Sequence, residues 1–161
     1  GDLRVRGIPG VSLFAEYLRD PEATAAAVDA DGWLRTGDRV RLNEGGTLSF
    51  VEREGDLLKV GGENVGAAEI ERVLLQAPGV AEVAVVGAPH EMLGEVPVAF
   101  VLPRAGASVT VAEVEARCVA GLSPMRRPRE IRIVSELPRV TLDKVAKAVL
   151  RGILREEGVR R

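Results

Sequence analysis

The sequence is poor in cysteine, in aromatic residues and in excess charge, and each shortage excludes a class of protein. A single cysteine, Cys118, rules out an internal disulfide framework and fits a reducing cytosol, so we expect a cytoplasmic protein. With 22 basic and 24 acidic residues the net charge is −2, which does not support a general nucleic-acid or membrane-surface binder. No apolar run approaches the roughly 20 residues of a membrane span, and we expect neither a span nor a signal peptide.

What is present is typical of a folded globular protein. Hydrophobic residues make up 46% of the sequence and charged residues 29%, while aromatic residues make up only 3%, so aliphatic side chains must fill the core. A length of 161 residues suits one ordinary domain, or one small domain with a piece of another. Because the chain begins with Gly1 and opens directly into a strand-like segment, we expect a fragment or cleavage product of a longer protein.

The hydrophobic pattern predicts two regions of different character. The first has a strand at 3–6, a short helix after the N-cap Asp20 and Pro21, and a hairpin with strands at 39–42 and 47–51. The second predicts helices at 67–76, after the capping box of Thr110 and Glu113, and at 142–154, with strands at 80–87, 94–102 and 130–134. We therefore predict an α+β fold whose three-stranded sheet is covered by helices. Pro97 suggests an edge position or a bulge, whereas strand 80–87 is too apolar for an exposed edge.

The stretch 51–70 concentrates the features that point to function. It contains Arg53 after a strand, the Asp56–Lys59 segment, the adjacent Gly61 and Gly62, and Glu63 before a helix. Two adjacent glycines cost backbone entropy and usually mark either a tight turn or a close approach of another backbone or a ligand. Beside charged residues and a helix start, a close-approach surface is the better interpretation.

This stretch resembles the core motif of the adenylate-forming superfamily, which includes acyl-CoA synthetases, adenylation domains of nonribosomal peptide synthetases and firefly luciferase. The matching positions are Arg53, Asp56, Lys59, Gly62, Glu63, Val65, Glu69, Ile70 and Glu71. Upstream, Gly32, Trp33, Thr36, Gly37 and Asp38 match a second motif of the family. Downstream, Leu137, Pro138, Lys144 and Val145 match its last motif.

The resemblance implies a domain organisation and an activity. Residues 1–53 correspond to the C-terminal end of the large N-terminal AMP-binding domain, and residues 54–161 to the mobile C-terminal domain, which packs against it. The implied parent is an ATP-dependent acyl-CoA synthetase that converts a small-molecule carboxylate, ATP and CoA into the thioester, with Mg²⁺ accompanying ATP. Because the phosphate loop and the acyl and adenine pockets of the family lie upstream, we expect this chain alone to be inactive. A homodimer is left open.

Two other functions remain open beside this one. The parent could be an adenylation domain that loads a carrier protein. Alternatively, the piece could be a non-catalytic α+β ligand-binding or interaction module that kept the fold and lost the chemistry, with Asp143 as the suspicious feature.

The resemblance assigns the nucleotide-binding role to Asp38 and Arg53. In the family the aspartate accepts hydrogen bonds from both ribose hydroxyls, a task that suits a group with two acceptor oxygens. Its structural alternative is a carboxylate that stabilises a turn. Arg53 is implied to be a donor to the ribose, and its alternative is a simple hairpin charge.

The resemblance also assigns a hinge and a thiol route. Gly55 stands at the hinge position, where glycine permits the backbone rotation but lacks the usual polar tether. Gly61, Gly62 and Glu63 fall where the family lines its pantetheine tunnel. Arg126 and Arg127 either steer a CoA phosphate or belong to a solvated basic loop.

Lys144 is the candidate catalytic residue, and no residue is proposed as a metal ligand. In the family this lysine contacts the α-phosphate and the substrate carboxylate, where an ammonium donor stabilises developing charge. We predict Lys144 in the first turn of a helix, where it opposes the helix dipole; otherwise it is a surface lysine. Asp143 and Val140 depart from the family's Gly and Thr, and Asp143 could pair with Lys144.

Overall fold

The chain divides into two units between Gly55 and Asp56, and each has its own sheet. The structure, a computed structural model, describes residues 1–140 and 143–157. The first unit contains β1 (Asp2–Arg6), α1 (Pro21–Ala27), β2 (Trp33–Leu42) and β3 (Leu48–Arg53). Its strands pair antiparallel in the order β1-β2-β3.

The local signals of the first unit produce the predicted elements. The Asp20 carboxylate accepts a hydrogen bond from the Ala23 N–H at 2.9 Å, and Pro21 occupies the first turn, so the predicted cap of α1 is confirmed. Strand β2 begins at Trp33, earlier than predicted, because this segment pairs with β1 as well as with β3. The motif that ends at Asp38 therefore lies on a strand.

The second unit is an α+β domain, which confirms the predicted fold class. Its elements are β4 (Leu57–Val60), β5 (Glu63–Gly66), α2 (Ala67–Leu74), β6 (Val80–His90), β7 (Gly94–Pro103), α3 (Val111–Gly121), β8 (Glu130–Ile133) and α4 (Lys147–Glu157). The three predicted strands are β6, β7 and β8. The sheet also contains the short hairpin β4–β5, so its order is β5-β4-β7-β6, with β8 parallel to β7.

The sheet of the second unit is buried on both faces, which explains its continuous apolar runs. One face packs against α2 and α3, through Ile70, Leu74, Val114 and Cys118 among others. The opposite face packs against α4, through Leu150 and Leu154. Among the helices of the described residues, none combines the length and apolar character needed to cross a membrane.

The edge expected from Pro97 is not found, for a structural reason, whereas strand 80–87 is buried as its apolar sequence indicated. Pro97 lies in a central strand, because β6 pairs with one side of β7 while β4 and β8 pair with the other. On that second side β4 reaches Gly94 and β8 begins opposite Val98, so the missing N–H of Pro97 falls between them. Within the described residues β6 pairs only with β7, so it is an edge by pairing although helices bury it.

Helix α4 begins later than predicted. The sequence placed its start at Leu142, which lies outside the described residues, and placed Lys144 in its first turn. In the structure Arg139 and Val145 form an antiparallel bridge, and the Ala146 N–H donates to the Pro138 carbonyl at 2.7 Å. These bonds hold residues 144–146 in a non-helical conformation, so the helix starts at Lys147 and the predicted helical position of Lys144 is wrong.

Candidate functional site

In the first unit the structure brings Asp38 and Arg53 into direct contact. The two residues lie opposite each other in the register of β2 and β3, and Nε of Arg53 donates to Oδ1 of Asp38 at 2.8 Å. The Asp38 side chain is 22% exposed and that of Arg53 is 57% exposed. Because a carboxylate carries about four acceptor lone pairs on its two oxygens, this bond orients Asp38 and leaves capacity for further donors.

The residues before Asp38 fix its backbone. Thr36 Oγ1 donates to the Leu3 carbonyl at 2.9 Å and accepts from the Asp38 N–H at 3.1 Å. Gly37 between them has φ of +73°, a left-handed conformation that glycine adopts without steric cost. The Thr-Gly-Asp sequence therefore presents the carboxylate from a fixed bend in β2.

Asp38 lines a depression that the sequence did not reveal. Its lining includes Arg4 and Arg35, which are opposite each other in the register of β1 and β2, and Arg39, whose Nε lies 3.8 Å from the Asp2 carboxylate in the same lining. Arg4 and Arg35 add positive potential beside Asp38, which attracts anions. Only the pairing register brings residues this far apart in sequence to one surface, so hydrophobic patterning alone could not identify them.

In the second unit Gly61 and Gly62 form the two-residue turn of the β4–β5 hairpin. Val60 and Glu63 pair across the turn, and the glycines have φ of +58° and +86°. Two-residue hairpins favour turns with positive φ at both central residues, so the pair has a folding reason as well as its proposed functional one. A Cβ at Gly61 would lie 3.0 Å from Cε of Met125, whereas a Cβ at Gly62 would face open space.

The basic loop beside this turn is held by internal contacts. Arg126 forms an ion pair with Glu69 at 2.8 Å. Arg127 donates from Nε to the Leu122 carbonyl at 3.1 Å and from Nη2 to the Val119 carbonyl at 3.4 Å. These contacts give both arginines a role in the fold and favour that role over the steering of a CoA phosphate.

A cluster of charges follows Gly55 immediately. Asp56 accepts from Lys147 Nζ at 3.0 Å and from Arg151 Nη2 at 3.1 Å. Lys147 also contacts Oε1 of Glu71 at 2.9 Å, and the same oxygen accepts the Val85 N–H at 2.8 Å. We name Asp56, Glu71, Lys147 and Arg151 the Asp56 clamp. It ties the residue after the candidate hinge to α2 and α4, and sequence reasoning missed it.

Lys144 lies on an exposed segment before α4. Its carbonyl accepts the Val140 N–H at 2.8 Å, and none of the described residues forms an ion pair or hydrogen bond with its ammonium group. Asp143 does not pair with it; the Asp143 carboxylate lies 3.6 Å from Nε of Arg139 instead. Asp143 has φ of +60°, a conformation that glycine prefers, which gives a physical reason for the Gly of the family motif at this position.

Of the predicted site residues, Gly55 ends the first unit, and the others form groups within their own units. Asp38 and Arg53 are in contact, Gly61 to Glu63 form one turn, and Lys144 projects from the segment before α4. Leu93 and Met125 lie beside the turn, whereas the Lys144 segment contacts Pro138 to Val140. An oriented carboxylate can accept hydrogen bonds from hydroxyl groups, and an ammonium without a partner among the described residues can stabilise an anion.

Similar proteins share this architecture. Residues 69–144 match the family described as AMP-binding enzyme C-terminal domain. Over 144 residues the chain is 45% identical to a methyl-dioxo-octahydroindenyl-propanoyl:CoA ligase of Mycobacterium tuberculosis, covering 89% of the chain and 28% of that ligase. It is 35% identical to a crotonobetaine/carnitine–CoA ligase of Citrobacter koseri, covering 94% of the chain and 29% of that protein.

Solved structures give the same result. ATP-bound MatB from Rhodopseudomonas palustris matches with a TM-score of 0.79 and 36% identity, over 89% of this chain and 29% of that one. An o-succinylbenzoate-CoA synthetase of Bacillus subtilis, in complex with its acyl-adenylate intermediate, matches with a TM-score of 0.78 and 32% identity, over 100% of this chain and 31% of that one.

Residues 69–144 belong to the AMP-binding enzyme C-terminal domain family, and most of the chain is similar to the C-terminal portion of adenylate-forming enzymes, as the sequence motifs predicted. The curated relatives described above are acyl-CoA ligases. The chain spans less than a third of their length.

Proposed function

We propose that this chain is the C-terminal part of an ATP-dependent acyl-CoA synthetase. The whole enzyme joins a carboxylate to AMP with release of pyrophosphate, and CoA then displaces AMP to give the thioester. Its similarity to CoA ligases supports CoA as acceptor rather than a carrier protein. By itself the chain releases no pyrophosphate from ATP and a carboxylate, because the phosphate-binding elements of the family are not part of it.

The observation that carries this proposal is the contrast between two lysines three residues apart. The Lys147 side chain is 18% exposed and bound to two carboxylates, so its ammonium group is committed to the fold. Lys144 is exposed, and its ammonium group has no partner among the described residues. An ammonium that is available to incoming oxygens suits the stabilisation of charge on a carboxylate and a phosphoryl group. Lys144 is therefore the catalytic lysine of the proposal.

Asp38 and Arg53 are the proposed nucleotide contacts. The Arg53 hydrogen bond and the Thr36 bend hold the Asp38 carboxylate in one orientation, which suits acceptance of two ribose hydroxyls. The arginines of the adjoining depression favour an anionic ligand at this surface. Mg²⁺ would accompany ATP and neutralise phosphate charge. Within the described residues no group of three or more His, Cys, Asp or Glu side chains could hold a metal ion, so this chain is assigned no ligand to it.

Two half-reaction assays on the full-length enzyme test the proposal. Lys144→Ala should lower adenylate formation by roughly a hundred- to a thousandfold, as expected when one electrostatic donor to a transition state is lost. Thioester formation from supplied acyl-adenylate should remain nearly intact. Arg155→Ala is the matched control, because it removes another exposed positive charge, on α4, and it should leave both half-reactions unchanged.

Two results would contradict the proposal. Lys144→Ala with unchanged adenylate formation would show that this lysine does not act in the first step. Equal loss of both steps would show that it supports the fold or a single fixed site. A full-length enzyme that acylates a pantetheinylated carrier protein but not free CoA would instead establish the carrier-loading function.

A further inference from the structure

Residues on both sides of Lys144 form a closed antiparallel turn. The Val140 N–H donates to the Lys144 carbonyl at 2.8 Å, and the Ala146 N–H donates to the Pro138 carbonyl at 2.7 Å. Arg139 and Val145 face each other as a β-bridge between these bonds. We call the described residues 138–140 and 143–146 the lysine turn. The backbone of this turn, and not a side-chain contact of Lys144, fixes the Lys144 Cα from which the ammonium group projects.

Arg139 connects this turn to the sheet. Its guanidinium group binds Glu82 of β6 in a two-point arrangement, with Nη1 to Oε1 at 3.1 Å and Nη2 to Oε2 at 2.5 Å. Paired donors of this kind fix both distance and orientation, because the guanidinium plane must match the carboxylate. Hydrogen bonding to Glu82 raises the pKa of Arg139, so the group stays charged. Since β6 packs against helices on both of its faces, Glu82 offers a rigid attachment point.

The same guanidinium group also binds the residue before Lys144. Nη1 of Arg139 donates to the Asp143 carbonyl at 3.0 Å, and Nε lies 3.6 Å from the Asp143 carboxylate. Asp143 is one of two non-glycine residues with positive φ within the described residues. An L-residue in this conformation is unfavourable unless neighbouring contacts hold it. Arg139 supplies those contacts on both the backbone and the side chain of Asp143.

We propose that Arg139, anchored by Glu82, is a positioning residue that fixes the lysine turn and thereby aims Lys144 at the transferring phosphoryl group. This inference rests on the proposed function, because it needs Lys144 to be catalytic. It explains why an aspartate can replace the glycine of the family motif: the contacts from Arg139 hold Asp143 in the left-handed conformation. In this role Arg139 acts on Lys144 through Asp143 and the turn, and not by binding substrate.

The first measurement is made on the 161-residue chain and needs no activity. Amide hydrogen exchange in Arg139→Met should rise at Val140 and Ala146, whose N–H groups close the lysine turn. Exchange at Val98 to Val101 in the centre of β7 should stay unchanged. Arg132→Met is the matched control, because Arg132 also binds two carboxylates, those of Glu130 and Glu157, away from this turn. It should leave exchange at Val140 and Ala146 unaltered.

The second measurement is made on the full-length enzyme. Arg139→Met should lower kcat for adenylate formation by about 10- to 100-fold, the size of effect expected when a reacting group is misplaced by about 1 Å. The KM for ATP and the rate of thioester formation from supplied acyl-adenylate should not change. Glu82→Gln should act in the same direction, and the double variant should be no worse than Arg139→Met alone. Arg139→Lys keeps the positive charge but lacks the paired guanidinium donors, so it should recover only part of kcat.

The outcomes separate this inference from the function on which it rests. If Lys144→Ala abolishes adenylate formation while both Arg139→Met and Glu82→Gln leave kcat intact, the positioning role is refuted and the function stands. If Arg139→Met and Glu82→Gln lower both half-reactions equally, Arg139 supports the fold as a whole and not the position of Lys144. If exchange does not rise at Val140 and Ala146, Arg139 does not hold the lysine turn. Either result refutes the positioning role. If Lys144→Ala itself has no effect, the proposed function fails, and the positioning role fails with it.

Discussion

A side chain placed at Gly62 should separate the two half-reactions of the proposed enzyme. Gly62 has φ of +86°, and a Cβ added there would meet no heavy atom within 4 Å. The turn itself therefore offers little steric resistance at this position, and we expect an obstruction to come from a ligand. If the pantetheine arm of CoA passes this turn, Gly62→Asn should obstruct thioester formation and leave adenylate formation unchanged.

The loss of stability caused by Gly62→Asn can be estimated from the backbone conformation at this position. A left-handed conformation costs an ordinary L-residue about 1–2 kcal/mol, and asparagine tolerates it better than most residues. A domain stabilised by roughly 5 kcal/mol would keep more than about 99% of its molecules folded after such a loss. Unfolding therefore cannot account for a tenfold change in rate. Gly62→Leu is less suitable, because the full backbone strain would accompany the obstruction.

The assay measures both half-reactions of Gly62→Asn in the full-length enzyme, with Gly106→Asn as the matched control. Gly106 belongs to the same unit, has φ of +75° and also faces open space. Both variants should lose similar stability in urea, but only Gly62→Asn should lose about tenfold or more of thioester formation, the size of an added barrier of about 1.4 kcal/mol. Identical kinetics for the two variants would mean that the glycines serve only the β4–β5 hairpin.

Three further predictions follow from the charged contacts. Asp38→Ala should weaken ATP binding at least tenfold, because each hydrogen bond to a charged group contributes about 1.5–3 kcal/mol, and unchanged affinity in a titration would identify Asp38 as a turn residue. Lys147→Met should lower the free energy of unfolding, measured in urea, by about 2–3 kcal/mol. The loss should be smaller than for a fully buried ion pair because the Lys147 side chain is 18% exposed. An unchanged unfolding midpoint would show that the Asp56 clamp does not stabilise the fold. Hydrogen bonds from Thr110 lower the pKa of Glu113 below its ordinary value of 4.5. The Glu113 carboxylate therefore stabilises the fold above pH 4.5, and this stabilisation is lost as the pH falls through the lowered pKa of the folded state. The stability gap between wild type and Glu113→Gln should accordingly shrink on acidification, and a gap that is constant with pH would refute the capping role.

Local signals predicted much of the fold. The capping box of α3, the apolar face of α2 and the Val-rich strand β6 are each determined by residues close in sequence. The β4–β5 hairpin was missed because its strands are only four residues long and Gly61 and Gly62 were interpreted as a ligand surface rather than a two-residue turn. The start of α4 was missed because the bond between Ala146 and Pro138 outweighs helix periodicity.

The candidate site also contains residues that local motifs predicted and contacts that only the folded structure reveals. Motif positions identified Asp38, Arg53 and Lys144, and the hairpin register then placed the first two in contact. The Asp56 clamp joins residues near the beginning and the end of the second unit's sequence. Arg139 binds Glu82, which lies 57 positions earlier in the sequence. No local pattern contains such pairs, because they arise only once α4 and the lysine turn dock on the sheet. The roles of Gly55, Gly62 and Lys144 stay predictions until the half-reactions are measured.

The hydrogen bond from Val85 to Glu71 also bears on solubility during synthesis. β6 is rich in valine and alanine and is an edge by pairing within the described residues, so its outer N–H groups could recruit a strand from another chain. The Glu71 carboxylate occupies one of these donors and places a negative charge beside it. Because Glu71 precedes Val85 by only 14 residues, this protection can form before α4 has been made. Glu71→Leu should therefore increase aggregation of the nascent or refolding chain more than it lowers the stability of the finished fold.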